Sequence, residues 1–494
     1  MNYKDYFKDK KITLVGFGEN NKALADAEFL AKAGATVTVL DARQEHELSQ
    51  FIKHFKIAPP SAPDAVGLGG IALSDATAND APDQIDAADI LETISKKPKP
   101  DWREKVSFHF GKYKKELFEG QELIIRDISI PLSLPQFKEA LNKNVPVEVA
   151  ESLFVKLSPP ITLVGVTGTC GKTTTAYMIN EIVKQGFADT EQKFYFIDPY
   201  KGSSPLSLLG KVKRDDIILL ETGTELLAEF NNAHMSPHVA VITNIYTNHL
   251  GHANKETYFE EKSAIFKYQT YNNFLIANDE VVDLIKTHFS MPFKAKILRT
   301  GTSLIPREWR LEDMPQHMKE NMALALRVAE VLRVDDGVTK NAVLNFKNPK
   351  ARQEYVKKVR GALFYNDSAS TNPAATLTAL KSLSKNRNAV LIFGGPDMEW
   401  NTKDMDDFMK TIVQYAHTLI LLPGSGTMKM HRYILDFPDM KHIYAHSIYD
   451  AVGIARDNAG KEDVVIFSPG FPAWGLYQNE VERGDHFIWA LRSF

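Results

Sequence analysis

The stretch Ile161-Thr-Leu-Val-Gly-Val-Thr-Gly-Thr-Cys-Gly-Lys172-Thr-Thr-Thr-Ala constrains this chain more than any other. Its opening is β-branched and leucine-rich, the composition of a buried strand. Gly168-Thr-Cys-Gly171-Lys172-Thr173 follows at once, and Ala176-Tyr-Met-Ile-Asn-Glu-Ile-Val then has helical spacing of apolar residues. A strand, a glycine-rich turn and a helix N-terminus aim backbone N–H groups and the positive end of a helix dipole at one point, where an anion is held. The pattern predicts Lys172 on the β/γ-phosphates of a nucleotide and the Thr173 hydroxyl on Mg²⁺. The strict form of such a loop asks for glycine where Val166 stands. An α/β domain that uses ATP is the expectation.

A chain of 494 residues exceeds one ordinary core, so about two to four domains are expected. The formal net charge of −3 offers no general attraction to nucleic acid or an anionic membrane. A single cysteine, Cys170, rules out an intrachain disulfide framework and fits a reducing, cytoplasmic compartment. The first residues lack the apolar core of a signal peptide, and no run reaches the ~20 apolar residues of a spanning helix.

Lys11-Ile-Thr-Leu-Val-Gly16-Phe-Gly18 reads as a strand and glycine turn, residues 22–34 as a helix closed by Gly34, and Ala35-Thr-Val-Thr-Val-Leu-Asp41 as a second strand. This βαβ unit places Asp41 where an acid can meet a ribose. The third fingerprint glycine is absent, so a nicotinamide site, another nucleotide site and a structural turn all stay open here. Residues 59–113 change to Ala, Asp and Pro and then to a charged run, which reads as a solvated insertion, partly loop and partly helix. Glu122–Pro131 reads as another strand, and Ser158-Pro-Pro160 as a domain boundary. Strands are expected at 193–198, 216–221 and 239–244, with Glu221 and Asn244 at C-terminal ends where ligands of open α/β sheets bind. The loop to His249 and the helical Tyr258-Phe-Glu-Glu-Lys262 follow. Singly these say little: a strand-end Glu is usually a surface acid, a loop His is usually solvated, and a helix Lys is nearly always exposed. Strands at 362–367, 389–395, 418–424 and 463–470 imply a further Rossmann-like sheet from about residue 348.

In this order the motifs resemble the Mur ligase family of ATP-dependent amide-forming enzymes. The resemblance implies three domains, at 1–157, 158–347 and 348–494: Rossmann-like, P-loop ATPase-like and Rossmann-like. It implies that Gly168, Thr169, Cys170, Gly171, Lys172, Thr173, Thr174, Asn321, Arg352 and Asp367 bind ATP. Thr173, Glu221, His249 and a carbamylated Lys262 are implied as Mg²⁺ ligands, with Lys172, Lys262 and His249 as the catalytic set. Gly18, Asp41, Arg43 and Ser129 are implied on a UDP-linked substrate, and Thr371 and Ser468 on the incoming amino acid. The reaction implied forms an acyl phosphate and then an amide, adding an amino acid, D-glutamate by default, to a UDP-N-acetylmuramoyl-L-alanine. Negative charge crowds one point in that chemistry, so cations must gather there. Peptidoglycan synthesis, a cytoplasmic location, a monomeric state and no nucleic-acid or membrane partner go with this reading.

Some family positions differ. Ala369 and Met398 stand where lysines are usual, Ala473 where a serine holds the amino acid, and Glu480 where an aromatic residue stands beside it. Three other readings stay open, the first because of these departures. A non-catalytic relative could hold ATP and a nucleotide sugar without turnover. A ligase could act on another acceptor such as folate. A dehydrogenase built on Gly16-Phe-Gly18 would leave the phosphate loop unexplained.

Overall fold

The computed structural model describes residues 2–17, 22–52, 101–199, 204–245, 255–288, 294–312, 314–397, 402–473, 476–477 and 479–493. They divide into two compact units: Met1–Leu157 with Ser204–Leu209, and Ser158–Ser203 with Gly210–Phe494.

The first unit is built on β1 (Lys11–Val15), β2 (Thr36–Asp41), β3 (Val106–Phe110), β4 (Leu123–Arg126) and β5 (Val147–Glu148). They form one sheet in the order β3-β2-β1-β4-β5, and every pairing is parallel. Ile12–Val15 of β1 and all of β4 are buried without alternation, as in a sheet covered on both faces. The Lys22–Lys32 helix buries Leu24, Ala27, Leu30 and Ala31, a stripe of helical period.

Two expectations for this unit need correction. The strand expected over Glu122–Pro131 stops at Arg126. The Arg126 guanidinium donates to the carbonyls of Asp127, Ile128 and Ile130, which curls the chain into a turn. Residues 101–113 are also not a surface elaboration, because β3 pairs in register with β2, Val37 opposite Val106 through Asp41 opposite Phe110. Its alternation of half-buried and exposed residues is that of an edge strand with one packed face. The rest of the expected insertion, residues 59–100, lies outside the described residues.

The second unit carries two sheets. Sheet two comprises β6 (Thr162–Thr167), β7 (Phe194–Ile197), β8 (Ile217–Glu221), β9 (Val239–Ile242), β10 (Phe274–Asn278) and β11 (Lys296–Thr300). Its order is β11-β10-β9-β6-β8-β7, wholly parallel. The helices Lys172–Gly186 and Gln316–Val331 share its core through Met178, Ile179, Ile182, Met322, Ala325 and Val328. Sheet three comprises β12 (Glu354–Val359), β13 (Ala362–Asn366), β14 (Ala389–Phe393), β15 (Ala416–Leu421), β16 (Lys441–Tyr444) and β17 (Val464–Phe467). Its order is β12-β13-β17-β14-β15-β16, with β12 antiparallel at one edge and the other pairs parallel. Residues 204–209 fall inside the 158–347 stretch expected as one domain. The segment instead belongs to the first unit: Leu206 and Leu209 are buried, and the Ser204 hydroxyl donates to buried Asp26.

Candidate active site

At the C-terminal end of β6 the chain turns through Gly168 and Gly171, with φ of +143° and +82°. Side chains are strained in that backbone region, and space is missing too. A Cβ on Gly168 would collide with Thr243 Oγ1, and one on Gly171 would lie 2.5 Å from Asn321 Oδ1. Gly171 caps the Lys172–Gly186 helix. The loop is clamped from the end of β9. Cys170 N donates to Asn244 Oδ1 at 2.9 Å, and Asn244 Nδ2 returns a bond to Cys170 O at 3.0 Å. Thr243 Oγ1 donates to Cys170 O at 2.6 Å, and Thr169 N donates to Asn244 O at 3.0 Å. The clamp exists because β9 pairs with β6 through Thr167 opposite Ile242, which carries the next two residues against the loop. No motif in the sequence marks Thr243, whose part in the clamp appears only in the fold.

Lys172 Nζ folds back over the loop, donating to Gly168 O at 3.0 Å. Thr173 Oγ1 donates to Glu221 Oε1 at 3.0 Å. Glu221 arrives there because β8 pairs with β6 in register, Val166 opposite Glu221. Its other oxygen, Oε2, is buried without a hydrogen-bond partner among the described residues. A buried carboxylate oxygen in that state is costly unless a cation joins it.

Lys262 departs from the usual behaviour of a helical lysine. It lies on the Lys255–Lys267 helix and is only 3% exposed. Its Nζ donates to Thr224 Oγ1 at 3.1 Å, three residues beyond Glu221. Burial pushes its ammonium down to about 7, the charge of Lys172 pushes the same way, and Glu225 and Glu261 pull back. The structure therefore brings Lys172, Thr173, Glu221 and Lys262 to one strand-end neighbourhood. His249 lies outside the described residues.

Beside the loop opens a cleft of about 760 Å³, its solvent mouth included. Cys170, Gly171, Thr174, Asn321, Arg352 and Asp367 line it, so most of the residues expected on ATP share one wall system. His317, one helical turn before Asn321, lines it as well, and burial lowers its imidazole below the usual value. Burial raises the Cys170 thiol, although Lys172 and Arg352 oppose the shift.

Asp367 directly follows β13 and is 4% exposed. Ser370 Oγ donates to its Oδ2 at 2.6 Å, Ser468 Oγ to the same atom at 2.7 Å, and Gln353 N to Oδ1 at 3.0 Å. Burial nevertheless pushes its carboxyl up to about 6 against these donors and Arg352. Ser468 is thus brought onto Asp367, while Thr371 is half-buried beside Asn372, the cap of the Pro373–Leu383 helix. Ala369 and Ala473 are buried, and Met398 lies outside the described residues.

In the first unit the Arg43 guanidinium grips Asp41 with two bonds, Nε to Oδ1 at 2.8 Å and Nη2 to Oδ2 at 2.9 Å. Phe17 N adds a third at 2.8 Å. Burial works against the Asp41 carboxylate, but Arg43 and the backbone donors outweigh it and hold it below its usual range. Ser129 folds onto Asp127 through N and Oγ, at 3.0 and 2.5 Å. Gly18 lies outside the described residues.

Residues 166–325 match the Mur ligase middle domain, and residues 351–471 match the domain described as Mur ligase, glutamate ligase domain, more than half of the chain between them. The chain belongs to the Mur ligase family. Among its curated relatives, a UDP-N-acetylmuramoylalanine--D-glutamate ligase of Borreliella burgdorferi (strain ZS7) is 26% identical over 510 residues, 98% of each chain. The enzyme of that name from Thermoanaerobacter sp. (strain X514) is 29% identical over 411 residues, 77% of this chain and 86% of its own. The solved UDP-N-acetylmuramate-alanine ligase of Thermotoga maritima has the same fold, with a TM-score of 0.56 at 14% identity over 98% of this chain and 99% of its own. The Mur ligase fold thus accounts for three α/β layers in one chain. Among the described residues no helix is long and apolar enough to cross a membrane.

Proposed function

We propose that this protein is an ATP-dependent ligase that adds D-glutamate to UDP-N-acetylmuramoyl-L-alanine in the synthesis of peptidoglycan precursors. The observation that carries the reading is the meeting of Lys172, the Thr173–Glu221 pair and buried Lys262 beside a cleft lined by Asn321, Arg352 and Asp367. We assign the phosphates to the 168–174 loop, the adenine to the Gly171–Asn321 end of the cleft, and Arg352 and Asp367 to the side that closes over the nucleotide.

The residues present fit Mg²⁺. Glu221 offers a hard oxygen that is buried and unsatisfied, and Thr173 offers a hydroxyl beside it. Mg²⁺ characteristically takes one or two carboxylates and completes its shell with water and substrate phosphates. Thr173 and Glu221 would hold one ion, with His249 and a carbamate on Lys262 at a second, and the ions would supply neutralising charge to the phosphates. Lys262 is suited to carbamylation because CO₂ adds only to a neutral amine, and burial brings the neutral form into the physiological range.

The substrate carboxylate takes the γ-phosphoryl group and becomes an acyl phosphate. Lys172 and Arg352 bind and orient the charged oxygens. The amine of the incoming amino acid then attacks the activated carbon, and phosphate leaves. We place the UDP-linked substrate at Asp41, Arg43, Ser129 and Gly18 of the first unit, and the amino acid near Thr371 and Ser468. Three domains dividing at about residues 157 and 347 complete the assignment. The test is phosphate release from ATP with UDP-N-acetylmuramoyl-L-alanine and single amino acids. Release that requires both co-substrates is expected, and none with any amino acid would refute the reading.

A further inference from the structure

At the C-terminal edge of sheet three the chain leaves two neighbouring strands in opposite directions. The Thr402–Tyr415 helix after β14 packs with Leu391, Phe393 and Leu419 on one face. The Glu480–Arg492 helix after β17 packs with Phe364, Val465 and Phe467 on the other. β14 and β17 are paired, and chains that leave such a pair to opposite faces define a crevice beyond the strand ends, where open α/β sheets take ligands.

One wall of that crevice is the turn from Gly394 to Asp397, and it is fastened to the Ser425–Leu435 helix. Gly395 N donates to Thr427 Oγ1 at 3.0 Å, Asp397 N to Ser425 Oγ at 2.9 Å, and Gly426 N to Gly395 O at 3.0 Å. Phe471, beyond β17, closes over the turn so tightly that a Cβ on Gly395 would sit 2.7 Å from Phe471 Cβ. From the same helix Lys429 reaches across and pairs with Asp397.

Among the described residues, the neighbouring buried cation is already committed. Arg483 is buried, and its guanidinium donates to Ser368 Oγ and to the carbonyls of Ser368, Phe471 and Pro472. Ala369 and Ala473 offer the crevice no charge. The Lys429 side chain is 51% exposed, and a lysine ammonium has three donors to share. The pair is uneven, since the Asp397 side chain is only 20% exposed; its lysine side faces solvent, where an ion pair contributes little and the ammonium is open to another carboxylate.

We propose that Lys429 receives the side-chain carboxylate of the incoming amino acid and so sets the preference for an acidic substrate. The sequence shows methionine, Met398, directly after Asp397; the cation arrives instead from the Ser425–Leu435 helix. The assignment rests on the ligase reading above.

Steady-state kinetics of the full-length enzyme with D-glutamate and D-glutamine test it, since the two differ only in the charge that Lys429 would read. Lys429→Met is expected to raise KM for D-glutamate about tenfold or more and to cut the preference over D-glutamine by a similar factor. KM for ATP should stay within about twofold, and Lys429→Arg should retain binding to within about threefold. A Lys429→Met enzyme whose KM for D-glutamate and whose selectivity both match wild type overturns the assignment alone. A wild-type enzyme that releases no phosphate with any amino acid overturns the ligase reading, and this inference with it.

Discussion

The second unit has two clusters of polar groups at strand ends, and they are finished in different ways. At the end of sheet two, Glu221 keeps an oxygen without a hydrogen-bond partner among the described residues, and Lys262 is buried with its ammonium weakened. At the end of sheet three the groups satisfy one another. Asp367 takes bonds from Ser370, Ser468 and Gln353, and Arg483 is fully engaged by Ser368, Phe471 and Pro472. Unsatisfied burial costs free energy that a ligand can recover, whereas a satisfied network fixes geometry. The first end is therefore built to bind charge, and the second is built mainly to hold loops in place.

The strongest challenge to this contrast is Lys172→Ala. If the sheet-two end binds triphosphate, kcat/KM should fall by roughly 10³ or more, measured as phosphate release; a loss of less than tenfold would break the comparison. Lys262→Ala should cost about 10². In the wild type, turnover should rise with pH through about 7 as Lys262 becomes neutral and able to take CO₂, and added bicarbonate should steepen the rise. The same shift bears on folding. Lys262 holds its proton less tightly when folded than at its ordinary 10.5, so its contribution to stability increases as pH climbs between the two values.

Asn244→Ala removes two of the bonds that clamp the loop. It should raise KM for ATP about tenfold and lower stability by about 1–3 kcal/mol, which nucleotide titration and urea melts would separate. Asp367→Asn probes the sheet-three end. The folded carboxyl titrates near 6, above its ordinary 3.8, so its favourable contribution is complete below the lower value and is lost as pH rises through the upper one. The Asn variant should therefore gain of order 1 kcal/mol on wild type between pH 5 and 8, while losing turnover. The smallest effect belongs to Cys170→Ala, because backbone atoms rather than the thiol meet the clamp; activity should stay within about threefold.

The phosphate loop was legible because glycine, lysine and threonine at fixed spacing have few alternative uses. The parallel sheets were legible because doubly covered strands must be continuous apolar runs. Lys262 was legible only by resemblance: its burial depends on Thr224 and the helix packed over it, which local sequence does not display. β3 was missed because Val-Ser-Phe-His-Phe follows a charged, proline-containing stretch, and only its pairing with β2 makes it a strand. Strand β12 was missed for the same reason, since Glu-Tyr-Val-Lys-Lys-Val pairs along an exposed edge. Lys429 carries no motif at all, and its meeting with Asp397 depends on the 394–397 turn being fastened to the Ser425–Leu435 helix.

The segment Ser204–Leu209 has a practical consequence for anyone dissecting this chain. A fragment that stops at Leu157 would contain all of the first sheet yet lack the short piece that completes its packing. Leu206 and Leu209 would leave their sites open to water, at about 1.5–3 kcal/mol for each leucine, and Asp26 would lose the Ser204 hydroxyl. Such a truncation should express poorly or aggregate. A version with residues 204–209 supplied through a flexible linker should recover a cooperative melt.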